Sequence, residues 1–168
     1  MILKDVTVNY VRVDPARPDM NFNKERGGQW SFQIFTRKKE QAKEWREANI
    51  DVKMDEDDEG AYYKATLSKP VLKADKLTKS EPIEVVNGDL VAIDPNSIGN
   101  GTVCNIRVYQ YEYTHEGLKN IKTLPQALQV LKHIVNTWKP GPREGFEPAV
   151  TETIEPKELP DNDAEDFA

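Results

Sequence analysis

The chain has 168 residues, of which 38% are hydrophobic and 31% are charged, and its formal net charge is −6. This length predicts one domain with a hydrophobic core plus appendages, and a single cysteine excludes a framework of internal disulfides. No segment approaches the length of an apolar membrane span, and the first residues lack a signal-peptide core, so the sequence predicts a soluble intracellular protein.

The charge is distributed unevenly along the chain. Residues 144–168 contain nine Asp and Glu and one Lys, a net charge of −8. Residues 1–143 contain 22 Lys and Arg against 20 Asp and Glu, a net charge of +2. This asymmetry is typical of an interaction tail or of a body that binds nucleic acid.

Two strands and one helix are predicted in the first third of the chain. Apolar and polar residues alternate over residues 3–13 and 29–35, with a long loop rich in Pro, Asp, Asn and Gly between them. Apolar residues then recur at helical spacing, which predicts a helix over roughly residues 37–49. Thr36 is a suitable N-cap for this helix because its hydroxyl can accept a hydrogen bond from the first turn.

The middle of the chain predicts further strands. Residues 51–60 are mostly acidic and predict a loop, and residues 61–72 predict a strand. Residues 83–93 predict two short strands around Asn87-Gly88, a pair that favours hairpin turns.

A long strand is predicted over residues 102–114, and residues 115–120 predict a loop. Residues 121–135 leave two interpretations open. Their leucines have helical spacing, but alternation and Pro125, which disfavours a helix interior, favour a strand from about residue 126.

These elements predict an all-β fold, a small β-barrel of the OB-fold type with one α-helix inserted between strands. The barrel domain is predicted at residues 1–139. Pro and acidic residues dominate after it, and few apolar residues remain to offset the ordering entropy, so residues 140–168 are predicted to be a disordered acidic tail.

No catalytic or cofactor-binding motif is present. His115 and His133 lie near separate predicted elements, and Cys104 has no evident base beside it. Cys104 shares its strand parity with Ile106 and Val108, which predicts a buried core thiol. We therefore predict a protein that is not an enzyme and has no cofactor.

The acidic run at residues 55–60 invites a comparison with calcium-binding loops. Its alternate carboxylates and Gly60 match the first half of an EF-hand loop, but Thr66 stands where a bidentate Glu is needed. The segment that follows is also strand-like rather than helical. The pattern predicts a solvated acidic loop and no metal site.

The strand over residues 102–114 carries the clearest functional signal. The parity opposite to its predicted core face contains Asn105, Arg107, Tyr109, Tyr111 and Tyr113. Aromatic rings accept stacked bases without requiring a particular base, and Arg107 can stack or contact phosphate. The alternative is that these tyrosines, which suit strands in general, only cover a barrel wall.

Basic residues strengthen the nucleic-acid hypothesis. Five lysines lie between residues 64 and 79 with only one acid among them, and Tyr62 and Tyr63 stand beside the first of these lysines. A basic groove with stacking aromatics suits single-stranded nucleic acid. The candidate DNA contacts are Arg37, Lys38, Tyr62, Lys64, Arg107, Tyr109, Tyr111 and Tyr113.

The acidic tail acquires a role in this hypothesis. A tethered polyanion can occupy the groove that phosphates would occupy, and single-stranded DNA would displace it. The released tail could then offer Phe167 to an apolar pocket of a partner, with Asp163, Glu165 and Asp166 meeting basic residues.

The stretch SIGNGTVCNIRVYQYEY at residues 97–113, the following segment LPQALQVLKHIV and the ending DAEDFA resemble the single-stranded DNA-binding proteins of the phage T7 type. The resemblance covers mainly residues 97–135 and the last few residues. It implies an OB-fold that coats single strands in replication and recombination, without catalysis or cofactor. It also implies that the tip at residues 163–167 contacts the polymerase and helicase-primase and supports dimers.

Two departures from this family concern the tail. Ala168 follows the aromatic residue on which the T7 type ends, and the acidic run is interrupted by Pro and Lys157.

The leading hypothesis is thus a phage single-stranded DNA-binding protein of the host cytoplasm. One alternative is a small-barrel interaction or virion structural protein that does not bind DNA. Another is a strand-annealing or RNA-binding OB protein.

Overall fold

Seven strands and one α-helix make up the part of the chain that this computed structural model describes, residues 1–136 and 149–150. In chain order they are β1 (Ile2–Arg12), β2 (Gln29–Thr36), α1 (Lys39–Glu47), β3 (Lys53–Asp57), β4 (Gly60–Pro70), β5 (Glu84–Val86), β6 (Thr102–His115) and β7 (Leu118–Lys132). Single 3-10 turns lie at Lys24–Arg26 and Pro95–Ser97. Within the described residues, no helix has the length and apolar character needed to cross a membrane.

The seven strands form one sheet in the order β3-β4-β2-β1-β6-β7-β5. All neighbouring strands are antiparallel except β5 and β7, which are parallel. β4 and β7 are not neighbours in this order, yet they contact each other, because the sheet curves around its core. The predicted fold class, a small barrel of strands with one inserted helix, is confirmed.

Alternate residues of the strands fill the interior of this curved sheet. Val6, Phe32, Ile34, Ile106 and Leu128 have at most 1% of their surface exposed. α1 joins the same core through Ala42 and Trp45, which lie three residues apart and therefore share one face of the helix. Strands are present at all four predicted places, residues 3–13, 29–35, 61–72 and 102–114. Each strand begins and ends within two residues of its predicted limits.

The helix begins later than predicted, and the predicted N-cap is wrong. Lys38 is the N-cap of α1 and makes no side-chain capping hydrogen bond. Thr36 is instead the buried last residue of β2. Its Oγ1 accepts a hydrogen bond from the Lys38 backbone N–H at 3.0 Å, so the hydroxyl orders the turn that precedes the helix.

The acidic segment at residues 51–60, predicted to be a loop, contains an edge strand and a tight turn. Every residue of β3 is exposed, so the apolar alternation that marks a strand in sequence is absent. Backbone pairing with β4 defines the strand, from Lys53 opposite Lys64 to Asp57 opposite Gly60. Charged side chains suit an edge strand because they discourage pairing with other chains.

The predicted hairpin over residues 83–93 forms only in part. β5 has three residues and pairs with β7, while Val86 and Ala92 make an isolated bridge. The Asn87 side-chain oxygen accepts hydrogen bonds from the backbone N–H groups of Asp89 and Val91, which makes a wider turn than the predicted one.

The helical interpretation of residues 121–135 is wrong, and β7 begins at Leu118, eight residues before the predicted start. Glu116 and Gly117, both with positive φ, form a tight turn that places most of the predicted loop inside strands. Pro125 is tolerated inside β7 because it lies beside a bulge, where the β6–β7 register shifts between Arg107 and Val108.

The predicted boundary between residues 139 and 140 and the predicted disordered tail at residues 140–168 lie outside the described residues, apart from residues 149–150.

Candidate functional site

Three tyrosines form a row on the outer face of β6. Tyr109, Tyr111 and Tyr113 are 53%, 41% and 43% exposed, and consecutive ring centroids lie 6.2 Å apart. The spacing follows from the two-residue repeat of a strand. Cys104, Ile106 and Val108 have the opposite parity and are buried, as predicted. β6 therefore presents apolar residues to the core and a row of rings to solvent.

Two bulges in the β6–β7 ladder leave this parity intact. The register shifts between Val103 and Cys104 and again between Arg107 and Val108, and in both places the extra residue is in β7. Leu131 and Gln126 are these extra residues. Because the irregularities fall on the partner strand, the alternation of β6 continues without interruption from the core to the row of tyrosines.

Cations surround Tyr109 and Tyr111. A cavity of about 490 Å³ beside these two rings is lined by the apolar side chains Pro70 and Leu124 and by one acid, Glu81. Its cationic lining residues are Arg26, Lys69, Lys73 and Lys122. The cavity therefore combines stacking surface with a local excess of positive charge.

A second cavity, of about 670 Å³, continues this surface past Tyr113. Lys122 lines both cavities, so they meet at this side chain. The second cavity contributes Lys53 and Lys64 as further cations and Asp51 as an acid. We call the combined surface the aromatic groove, defined by Arg26, Lys53, Lys64, Lys69, Lys73, Tyr109, Tyr111, Tyr113 and Lys122.

The aromatic groove follows a seam of the barrel. β3 pairs with β4 only over residues 60–64, and β5 pairs with β7 only over residues 127–129. The remaining edges of β4 and β7 line the same cavities without pairing with each other. Residues from opposite ends of the sheet order thus meet in the groove.

Two lysines of the groove are held in an unfavourable environment for positive charge. Partial burial lowers the pKa of Lys122, and the nearby Arg26 lowers it further. Partial burial also lowers the pKa of Lys69, where repulsion from Lys73 adds to the effect and attraction to Glu81 opposes it. An anion bound between these side chains would relieve both effects.

Arg37 and Tyr62 lie outside the lining of the groove, in a cluster that adjoins it at Lys64, whose Nζ is 5.9 Å from the centre of the Tyr62 ring. The Arg37 guanidinium donates two hydrogen bonds to the Asp57 carboxylate, at 3.0 and 2.6 Å, and lies 3.3 Å from a Glu59 oxygen. The ring of Tyr62 is 5.3 Å from that of Phe35, and the guanidinium lies over both rings. The hydrogen bond to Asp57 raises the pKa of Arg37, so the positive charge of Arg37 is already paired with a carboxylate of the protein.

The other predicted contacts, Lys64, Lys38 and Arg107, lie in three different places. Lys64 lines the groove, and its Nζ lies 4.0 Å from an Asp55 oxygen. Lys38 is exposed at the start of α1 and is not part of the groove lining. Arg107 lies on the outer face of β6 two residues before Tyr109, where it lines a third cavity and its guanidinium is 3.9 Å from a Glu84 oxygen.

Sequence reasoning missed Arg26 and Lys53. Arg26 lies in the first long loop, and its Nε–H donates to the Leu72 carbonyl at 3.0 Å, which holds the loop against the end of β4. Lys53 reaches the groove through the edge strand β3, which was predicted to be a loop. Lys69 and Lys73 belong to the predicted run of lysines between residues 64 and 79, but their meeting with Lys122 depends on the curvature of the sheet.

Cys104 is a core thiol. It is fully buried, and burial raises its pKa to about 12, which keeps the thiol protonated and unreactive. Among residues 1–136, no group of three His, Cys, Asp or Glu side chains is arranged to hold a metal ion. The half-matched calcium loop at residues 55–60 is instead the β3–β4 hairpin.

Comparison with known proteins yields similarity of fold only. No family model matches the chain, and no curated protein matches its sequence. The single-stranded DNA-binding protein gp2.5 of bacteriophage T7 is 13% identical, with a TM-score of 0.56 over 89% of this chain and 97% of that one. The single-stranded DNA-binding protein of bacteriophage Enc34 is 11% identical, with a TM-score of 0.51 over 87% and 86%.

The Enc34 protein has also been solved in complex with single-stranded DNA. That structure is 14% identical, with a TM-score of 0.50 over 79% of this chain and 86% of that one. At this level of identity the likeness establishes the fold class and no residue correspondence.

Proposed function

We propose that this protein binds single-stranded DNA without sequence specificity through the aromatic groove, and coats it during phage DNA replication and recombination. The observation that carries the proposal is the row of three tyrosines flanked by six cations. The fold shared with the single-stranded DNA-binding proteins of T7 and Enc34 supports it.

The tyrosines supply binding energy that does not depend on sequence. Every base has a π-face, and stacking of a base on an aromatic side chain contributes about 1–3 kcal/mol. The faces of bases inside a duplex are already stacked on their neighbours. Rings fixed on a strand therefore favour unpaired bases over duplex DNA.

The cations supply the contacts to phosphates. Arg26, Lys69, Lys73 and Lys122 flank Tyr109 and Tyr111, so a chain whose bases stack on these rings places its phosphates among them. Each neutralised phosphate releases counterions, and affinity then falls as salt rises, with a slope of about −0.7 per contact for single strands. The lowered pKa values of Lys69 and Lys122 mean that phosphate also relieves unfavourable charge burial.

The predicted contacts outside the groove take secondary roles in this proposal. Arg107 extends the groove at the end of the row formed by Tyr109. Lys38 and Tyr62 would contact DNA only if the strand continued across β4 toward α1. Arg37 would have to give up its ion pair with Asp57 to bind phosphate.

The acidic tail is proposed to compete with DNA for the same groove. The net charge of −8 on residues 144–168 complements the cations there, and tethering keeps the local concentration of the tail high. We further propose that the tip, with Asp163, Glu165, Asp166 and Phe167, contacts replication proteins such as the polymerase and helicase-primase of an infected cell. Homodimer formation through the tail is part of the same proposal.

A titration of fluorescent dT oligonucleotide at two salt concentrations tests the function. We expect saturable binding that weakens at higher salt, and much weaker binding of a duplex of equal length. Comparison with oligo-rU distinguishes DNA from RNA as the ligand. If no salt-sensitive binding is observed, the proposal is wrong, and a protein-interaction or virion structural role becomes the better explanation.

A further inference from the structure

The third cavity, of about 270 Å³, lies at one end of the row of tyrosines. Arg107 forms part of its lining and stands two residues before Tyr109 on the same face of β6. Glu84 of β5 lines it from the other side of β7. Arg107 therefore places the cavity on the face of β6 that carries the row of tyrosines, where the proposed function places single-stranded DNA.

Apolar side chains form part of the walls of this cavity. Leu90 is 71% exposed, and its φ of 64° is rare for a residue with a side chain. The Asn87 carbonyl accepts a hydrogen bond from the Leu90 N–H at 3.0 Å, which keeps the turn closed. Ile2 and Val86 contribute further apolar surface. A flat apolar ligand could lie against these walls.

The two charged side chains of the cavity are only loosely paired. The Glu84 carboxylate and the Arg107 guanidinium are 3.9 Å apart, and the side chains are 62% and 54% exposed. The polar side chains beside them already have partners, since Asn105 donates to Gln129 at 3.0 Å and Gln129 donates to the Gly88 carbonyl at 3.3 Å. The carboxylate and the guanidinium are thus the groups best placed to bind a ligand.

Guanine has the hydrogen-bonding edges that match this pair. Its N1–H and N2–H₂ groups are donors that suit a carboxylate, and its O6 and N7 are acceptors that suit an arginine. Thymine and cytosine lack N7, and adenine has an amino group in place of O6. The Glu84–Arg107 pair has to open to admit the base, and its length and exposure allow this.

We propose that the Glu84–Arg107 cavity binds one unpaired guanine at the end of the single strand held by the aromatic groove. The inference rests on the proposed function, because the groove brings the strand to the cavity. The rings of the groove accept any base, while this cavity adds a preference at one position. A strand that is otherwise coated without specificity would then have a favoured register.

Binding of dT12 oligonucleotides with a single dG placed at successive positions tests the inference by fluorescence anisotropy. We expect one position to bind about 5- to 10-fold more tightly than dT12 itself, at the low end of the discrimination that a bidentate base contact gives, because the cavity is open to water. The same substitution by dA at that position should give a smaller gain.

Two variants of equal charge change separate recognition from general electrostatics. Glu84→Gln should abolish the dG preference while leaving dT12 binding intact or slightly tighter. Glu40→Gln, on α1 and outside the cavity lining, should keep the preference. Leu90→Ser should weaken the preference by removing an apolar wall.

The outcomes distinguish the inference from the function on which it rests. Binding of dT12 with no preferred dG position overturns the inference alone. A dG preference that persists in Glu84→Gln also overturns the inference. The inference is likewise overturned if Leu90→Ser changes the sedimentation mass and leaves the dG preference unaltered, because the cavity would then be a contact between copies of the protein. Absence of any dT12 binding overturns the proposed function itself.

Discussion

At the scale of single residues, the proposed function predicts separable effects on binding for the aromatic row and the partly buried lysines. Tyr111 is the central ring of the row, with neighbours 6.2 Å away on both sides. Its contribution should be that of a stacking platform, while Lys122, opposite Tyr111 on β7, should contribute through charge.

Tyr111→Ala should weaken binding of dT12 by about 1–3 kcal/mol, the range for loss of one stacked base. Tyr111→Phe should bind dT12 nearly as well as the original protein because the aromatic ring remains. Fluorescence anisotropy titrations measure both, and thermal unfolding checks that the fold is retained. A similar loss in both variants would show that the hydroxyl, and not the ring, makes the contact.

Lys122→Met should weaken binding of dT12 and make the salt dependence less steep, with a slope smaller in magnitude by about 0.7, since one phosphate contact is lost. The same substitution should raise the melting temperature, because it removes a charge whose burial lowers the pKa of Lys122. Lys119→Met, on an exposed part of the same strand, is the control and should change both quantities less. Equal effects of the two substitutions would contradict the proposed position of the phosphates.

At the scale of elements, the loop after β4 carries Lys73 into the groove and is ordered by one carboxylate. The Asp75 side chain accepts hydrogen bonds from the backbone N–H groups of Leu77 and Thr78, both at 2.8 Å. Hydrogen bonds from Thr78 and Leu77 lower the pKa of Asp75 to about 2. Lys73 donates its backbone N–H to the Thr78 carbonyl in the same loop.

Because the pKa of Asp75 is lower in the folded protein than its ordinary value near 3.8, its contribution is present above that value and is lost as the pH falls toward 2. Amide hydrogen exchange at Leu77 and Thr78, corrected for the intrinsic rate, should therefore speed up over this range. Asp75→Ala should show fast exchange already at neutral pH and should weaken dT12 binding less than Lys73→Ala does. Slow exchange in Asp75→Ala would mean that other contacts order the loop.

Elements with a buried face were predicted from the sequence, and elements defined by pairing alone were not. β6 alternates between core and solvent, so both its limits and its tyrosine row were evident. β3 has no buried residue, so its sequence predicts a loop. The first half of β7 has no clear alternation of buried and exposed residues, and only its pairing with β6 makes it a strand.

At the scale of the whole molecule, the opposite charges of the body and the tail should set the salt dependence of binding. Removal of residues 160–168 takes away four acidic side chains, Asp161, Asp163, Glu165 and Asp166. We expect tighter dT12 binding, most visibly at low salt, where the tail competes best for the cations of the groove. Replacing the same acids by amides in the full chain should have a similar effect, and Phe167→Ala should leave DNA binding unchanged. If truncation leaves the affinity unchanged at every salt concentration, the tail does not occupy the groove.

The sequence by itself determined the class of fold, the core parity of β6, the buried Cys104 and the separation of charge between body and tail. These features depend on local alternation and composition, which are visible in one chain without its contacts. The candidate site was only partly predictable. Tyr109, Tyr111, Tyr113 and Lys64 line the groove, but Arg37 is ion-paired elsewhere, and no pattern in the sequence marks Arg26.

Only the tertiary structure decided which cations accompany the tyrosines. Arg26, Lys69 and Lys122 come from a loop and two strands that are distant along the chain, and the curvature of the sheet brings them to one cavity. The same curvature partly buries Lys69 and Lys122, which lowers the pKa of each. Charge clusters along a sequence do not reveal such a meeting, because it depends on how β4 and β7 approach each other across the unpaired seam of the barrel.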